Sequence, residues 1–248
     1  MSKIDAYRQT LNSIEDWIPY LLQESGLPGP RGNLELAHAV AQAGSREQFE
    51  AFLCVPLEQA PTNDPHEFII FCGMLGLGKL AAQGDHSQIA CLRTYASDPR
   101  WRIREGVATA LQLVGDADMP LLLREMRVWS AGNWLEKRAA AAAFAEPCLL
   151  KQADAAREAL GIIDSITLSM ANAENRSGED FKTLRQGMGY CWSVLVAALP
   201  AEGKKAMEKW LVSEDKDIRW VMRENLKKNR LLKAAPLWVA EWQAKLNR

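Results

Sequence analysis

Histidine is scarce in this 248-residue chain: His38, His66 and His86 are the whole supply. They are scattered, so neither a multi-histidine metal centre nor a Ser/His/Asp or Cys/His catalytic arrangement is predicted. Five cysteines, Cys54, Cys72, Cys91, Cys148 and Cys191, form no C-x-x-C pair. Most sit in apolar, helix-like text, which predicts reduced core thiols and a cytoplasmic protein. A surplus of one charge is also lacking. Lys and Arg number 30 against 31 Asp and Glu, a net charge of −1. That excludes the overall basic signature of a nucleic-acid binder and the signature of an acidic tail. No apolar run approaches the ~20 residues of a membrane span. Residues 1–11 show no cationic, apolar signal segment, so neither a span nor a leader is expected. Alternating apolar residues and β-branched runs are missing too, which excludes a sheet.

What remains is helical text. Hydrophobic residues make up 48% and charged residues 25%, values that suit a packed domain. The clearest unit runs from Asp98 to Leu111, where Asp98-Pro99 reads as a helix start. Ile103, Val107, Ala110 and Leu111 then recur at helical spacing with Arg104 beside them. Residues 5–24 read as one amphipathic helix in which Pro19 marks a kink or an early end. A turn-rich connector, Ser25-Gly26-Leu27-Pro28-Gly29-Pro30-Arg31-Gly32-Asn33, ends in Asn33, the expected cap of a helix over 34–43. Ser45 to Gln48 fits a capping box, and Asp64-Pro65 opens a strongly apolar helix to about Ala82. Its glycines, Gly73, Gly76 and Gly78, are expected to permit close helix packing. Further helices are predicted at roughly 86–96, 98–114, 117–129, 133–146, 152–172, 179–199, 203–213, 215–230 and 235–246.

The unit around Arg104 recurs. Ile103-Arg104-Glu105-Gly106-Val107 aligns with Leu184-Arg185-Gln186-Gly187-Met188 and with Ile218-Arg219-Trp220-Val221-Met222. Glu136-Lys137-Arg138-Ala139-Ala140 is a degenerate copy, and Ile70-Phe71-Cys72-Gly73-Met74 a fainter one. The aligned positions 71, 104, 137, 185 and 219 are spaced 33, 33, 48 and 34 residues apart. A period of that size is what stacked helix pairs produce. The long interval predicts extra residues in helix 152–172 and in the loop Ala173–Gly178, and such insertions are places to look for function. One domain over 1–248 is expected: helical cap 1–63, repeats 64–232, capping helix 233–248.

The units from Asp98 and from Asp215 resemble HEAT repeats: an Asp, a Val/Ile-Arg pair, then small apolar residues ending in Leu. The resemblance covers roughly residues 64–232. It implies an all-α fold, a right-handed α-solenoid of HEAT-like helix pairs, and leaves function open. The HEAT-like metal hydroxylases would require several His-Glu dipeptides, and only His66-Glu67 is present. Nothing beyond the repeat supports a bilin lyase. The HEAT-like DNA alkylation repair glycosylases are similar in size, helical repeats and richness in Trp. That family uses an Asp near aromatic residues that cradle the damaged nucleotide. No segment reproduces the motif, and Trp101 with Glu105 one turn later is the nearest pairing, so no catalytic residue is carried over.

The recurring cations Arg104, Lys137, Arg185 and Arg219 would line one face of such an array. Two readings stand: a phosphate- or carboxylate-binding line, or internal partners for acids such as Asp98 and Asp217. The last copy departs most. Arg219, Arg223, Lys227 and Arg230 share a helix face, and Arg223 and Asn225 replace small residues of the other copies. Trp101, Trp134 and Trp220 neighbour these cations and either stack on a ligand or fill grooves between repeats. Trp129, Trp192 and Trp210 are expected in the core. The function expected is a non-enzymatic binding or scaffold protein without cofactor or metal, gripping a protein partner through Trp101, Arg104, Trp134, Lys137, Arg185, Arg219, Trp220, Arg223 and Asn225. The alternative is a DNA-binding, repair-related protein.

Overall fold

The structure is a computed structural model that describes residues 1–246. It is all-helical, with fifteen α-helices and no strand among the described residues. No helix there is long and apolar enough to cross a membrane. The chain forms two compact units, Met1–Ala117 and a second from Asp118 onward. Their boundary falls inside the stretch that carries the repeats.

The first unit holds α1 (Lys3–Ser13), α2 (Ile18–Glu24), α3 (Leu34–Ala43), α4 (Arg46–Leu53), α5 (Pro65–Ala82), α6 (Ser87–Tyr95) and α7 (Trp101–Ala117). The helix expected over 5–24 is two. Trp17 precedes α2, Pro19 lies in its first turn, and the Trp17 indole N–H donates to the Leu11 carbonyl across the bend. A first turn tolerates proline because its N–H would be unpaired anyway. Asn33 caps α3 as predicted, accepting from Leu36 N–H at 3.1 Å, and Ser45 with Gln48 forms the capping box of α4. At the centre lies α5, buried continuously from Glu67 to Gly78 and flanked by α2, α3, α4, α6 and α7. A helix apolar on every side belongs in the middle of its neighbours. In the Pro-Gly connector only Gly26 takes a positive φ, +74°. Gly29 serves close approach instead, since a Cβ there would lie 2.4 Å from the Gly26 carbonyl oxygen.

The second unit holds α8 (Met119–Trp129), α9 (Trp134–Ala143), a 3-10 turn (Pro147–Leu150), α10 (Ala153–Ala171), α11 (Glu179–Ala198), α12 (Pro200–Leu211), α13 (Lys216–Leu226), α14 (Asn229–Ala234) and α15 (Pro236–Leu246). Its centre is α11, packed on α9, α10, α12, α13 and α14. The stretch 215–230 is broken: α13 stops at Leu226 and α14 starts at Asn229. Arg230 therefore leaves the helix that carries Arg219 and Arg223. Trp129 and Trp192 are fully buried, and the Trp192 indole N–H donates to Thr167 Oγ1 at 3.0 Å. Trp210 differs from expectation. It is half-buried, with its indole N–H on Asp164 and Lys209 over its ring. Cys72 and Cys191 are buried, and burial pushes both thiols up, Cys191 to about 12. Cys54 and Cys148 are exposed instead, because they sit at the end of α4 and in the 3-10 turn rather than on a core face.

The five aligned repeat positions fall on α5, α7, α9, α11 and α13. Within the first unit α5 and α7 are neighbours, and within the second α11 lies between α9 and α13. Asn225 explains part of this second arrangement. It is fully buried, its Oδ1 accepts from Ser193 N–H at 2.8 Å, and its Nδ2 donates to the Met188 and Val221 carbonyls at 2.8 Å each. It ties α13 to the middle of α11. Truncation to Ala removes three buried hydrogen bonds between and along α11 and α13, and we expect Asn225→Ala to cost about 1–3 kcal/mol. Urea unfolding checks it; an unchanged midpoint would show that the clamp contributes nothing.

Candidate functional sites

The residues singled out by sequence fall into two groups, one in each unit. In the first unit, the Asp98 carboxylate is taken by Arg100, whose Nε and Nη2 donate to it at 2.9 and 2.7 Å. Arg104 donates instead to the Asp98 and Pro99 carbonyls, at 2.6 and 2.9 Å. Those carbonyls lie just before the helical ladder of α7, and Arg104 gives them a donor. Trp101, at the head of α7, is 43% exposed. With Arg31, Gly32, Leu34, Phe68, Phe71, Arg102 and Glu105 it lines a pocket of about 270 Å³. Trp101 and Glu105 therefore do stand together on one wall.

Beneath that wall lies a buried ion pair that sequence reasoning missed. Arg102 Nε donates to Glu67 Oε2 at 3.3 Å, with side chains 5% and 0% exposed. Glu67 Oε2 also accepts from Asn63 N–H at 2.8 Å, whereas Oε1 accepts no hydrogen bond among the described residues. Arg102 Nη2 reaches the Gly29 carbonyl at 3.2 Å, so the pair holds the Pro-Gly connector against α5 and α7. The Arg102 guanidinium lies 4.4 Å from the Trp101 ring centroid. A signal for the pair was present. Glu67 stands on the face of Phe71, Met74 and Gly78 in an apolar helix, where a charge must find a partner.

In the second unit the recurring cations meet aromatic rings. Lys137 is buried, donates to the Gly132 carbonyl at 2.5 Å and lies 5.1 Å from the Trp134 ring. Burial lowers its ammonium from the ordinary lysine value. Trp134 in turn meets Phe181 edge-on at 5.3 Å. Arg185 pairs with Asp217 at 2.9 Å and covers the Trp220 ring at 4.5 Å. The inserted loop joins here. Arg176 pairs with Asp215 at 2.5 Å and with Asp217 at 3.2 Å, and it donates to the Ala171 and Ala173 carbonyls. The hydrogen bond to Asp215 raises the Arg176 guanidinium further. Burial pushes the Asp215 carboxyl up, but the Ile218 N–H and Arg176 outweigh it and leave it below the ordinary value. The insertion thus docks on the start of α13. Asp217 serves as the acid partner expected for the column, and it takes Arg185.

Beyond that network the second unit carries a cationic surface. Lys216, Arg223, Lys227 and Lys233 are exposed, and Arg219, Lys228 and Arg230 half-exposed. Arg223 donates to the Leu246 carbonyl at 2.5 Å, and Arg230 to the Tyr190 hydroxyl at 3.0 Å. Glu224 is taken by Lys227 at 2.5 Å. Lys216, Arg219, Lys228 and Lys233 form no ion pair among the described residues. Nor do three His, Cys, Asp or Glu side chains there gather as a metal site would require. No protein-family model matches the chain, and no curated protein matches it.

Proposed function

We propose that the protein is a non-enzymatic binding or scaffold protein, a right-handed solenoid of HEAT-like helix pairs that holds an acidic segment of a protein partner. The observation that carries this reading is the cation surplus on α13 and α14. Asp217 and Glu224, the acids of α13, are already engaged by Arg176, Arg185 and Lys227, and Lys216, Arg219, Arg223, Lys228 and Lys233 form no ion pair among the described residues. Arg219 and Arg223 supply the grip. Arg185 packs over Trp220 beside it, and Asn225 ties α13 to α11.

The test is fluorescence anisotropy with a labelled Glu-rich peptide. We expect binding that weakens with salt, and a loss of about tenfold or more on charge reversal by Arg219→Glu with Arg223→Glu. A reversed protein that binds the peptide equally well defeats the proposal.

One observation favours a second reading, a DNA-binding protein of the repair type: Trp101 and Glu105 share a pocket wall. Duplex DNA in the same assay separates the two. If phosphates are the ligand, Arg219→Ala with Arg223→Ala reduces the salt slope by about one per lost cation. An unchanged slope and affinity end that reading. Release of a base from methylated duplex would be needed for its catalytic form.

A further inference from the structure

The pocket in the first unit has a polarity that neither reading uses. Its floor and walls are flat and apolar. Phe68 and Phe71 stack with ring planes 10° apart, and Trp101 and Leu34 stand beside them. Set into this surface is one nearly buried guanidinium with two occupied nitrogens and one unoccupied. Arg102 Nε bonds Glu67, and Nη2 bonds Gly29 and, at 3.4 Å, Asn63. None of those three acceptors lines the pocket. Nη1 makes no hydrogen bond among the described residues. It lies on the pocket side, 3.7 Å from where a Cβ would stand on Gly32, itself a lining residue. The absent side chain of Gly32 keeps the approach to Nη1 open.

Three constraints then define an occupant. It is flat and apolar, because the lining is aromatic. It is small, because about 270 Å³ lies just below the roughly 300–1,000 Å³ of ligand clefts. Its edge carries a hydrogen-bond acceptor for Nη1, because an occupant that covers this donor without accepting from it would leave it unpaired. The acceptor is neutral. Glu67 already balances Arg102 and Glu35 lies 3.8 Å from Arg31, so the guanidinium charges at the pocket already have carboxylate partners and an anionic acceptor gains little there. We propose that this pocket binds an aromatic group bearing a neutral carbonyl, of the aromatic-amide class, with the carbonyl oxygen on Arg102 Nη1 and the ring between Trp101 and Phe68. This site is independent of the cationic surface on α13 and α14, and its probes carry neither phosphate nor acidic groups.

Ligand-observed NMR on the full chain tests it with four probes: benzamide, N-acetylphenylalaninamide, benzoate and toluene. Benzamide or N-acetylphenylalaninamide is expected to bind in the millimolar range or better, and more tightly than benzoate or toluene. If the peptide-like probe is the tighter of the two, the group comes from a polypeptide segment; if benzamide is, it comes from a free small molecule. Gly32→Val, which sets a branched side chain over Nη1, is expected to weaken binding by about tenfold or more. Trp101→Ala removes an exposed ring face and weakens it as well. Arg102→Lys is the third variant, with Gly32→Val standing in where that change unfolds the first unit. The proposal is overturned if neither amide binds at 10-fold above the millimolar range, if toluene or benzoate binds as well as the amides, or if folded Gly32→Val binds them unchanged.

Discussion

Glu67→Ala is expected to unfold at a markedly lower urea concentration than the parent chain, with a loss of about 3–5 kcal/mol, the usual cost of stranding one partner of a buried ion pair. The geometry puts this site at the costly end. Both side chains are within 5% of complete burial, so water cannot replace the lost carboxylate. Removal also strips the Asn63 N–H of its acceptor. Arg102 would be left with only the Gly29 carbonyl and Asn63 Oδ1 as partners for a full positive charge in the core. The pair itself is not the source of the stability. Its single bond is long at 3.3 Å, and Glu67 Oε1 goes unpaired, so the ions recover little of their desolvation cost. A double replacement, Glu67→Leu with Arg102→Met, therefore restores most of the loss. Circular dichroism during urea unfolding of the two variants reads both statements. Equal midpoints for Glu67→Ala and the parent would mean that the pair is hydrated.

Why the pair sits where it does is legible only from the assembled unit. Periodicity identified the helices because it is a local property: each apolar stripe and each cap lies within one segment. Asn33, Ser45 and Asp64 were readable as caps for that reason, and all three accept from the N–H groups of their own first turns. Breaks inside a continuous pattern were harder. The helix over 5–24 splits because Trp17 turns inward to reach Leu11, and 215–230 splits after Leu226, events that periodicity does not register. The site was legible to a lesser degree. Trp101, Arg104 and Glu105 come from one helix, so their proximity could be read from spacing. Arg31, Gly32, Phe68 and Arg102 come from three segments as much as 71 residues apart, and only packing brings them together. Arg176 shows the same limit. The insertion was located by its length, but its docking on Asp215 and Asp217 depends on the fold.

Gly78→Ala is expected to destabilise the first unit by about 1–3 kcal/mol or more, the ordinary range for overpacking a core. The reason is the crossing of α5 and α7, which Gly78 brings to backbone contact. A Cβ on Gly78 would stand 2.6 Å from the Ala110 carbonyl oxygen and 2.7 Å from its Cα. No rotamer change relieves a clash with main chain, so one helix must shift, and both are fully packed there. The effect on intrinsic propensity has the opposite sign, since alanine favours a helix over glycine by about 0.8–1 kcal/mol. Gly161 isolates that smaller term. It lies on the exposed side of α10 with nothing within 4 Å of its would-be Cβ, so Gly161→Ala is expected to stabilise by about 0.5–1 kcal/mol. The two alanine variants differ chemically by nothing except their surroundings. Thermal unfolding that moves Gly161→Ala up and Gly78→Ala down assigns the difference to the α5–α7 contact. If both variants rise together, the helices are free to part at Ala110, and the backbone contact does not set their spacing.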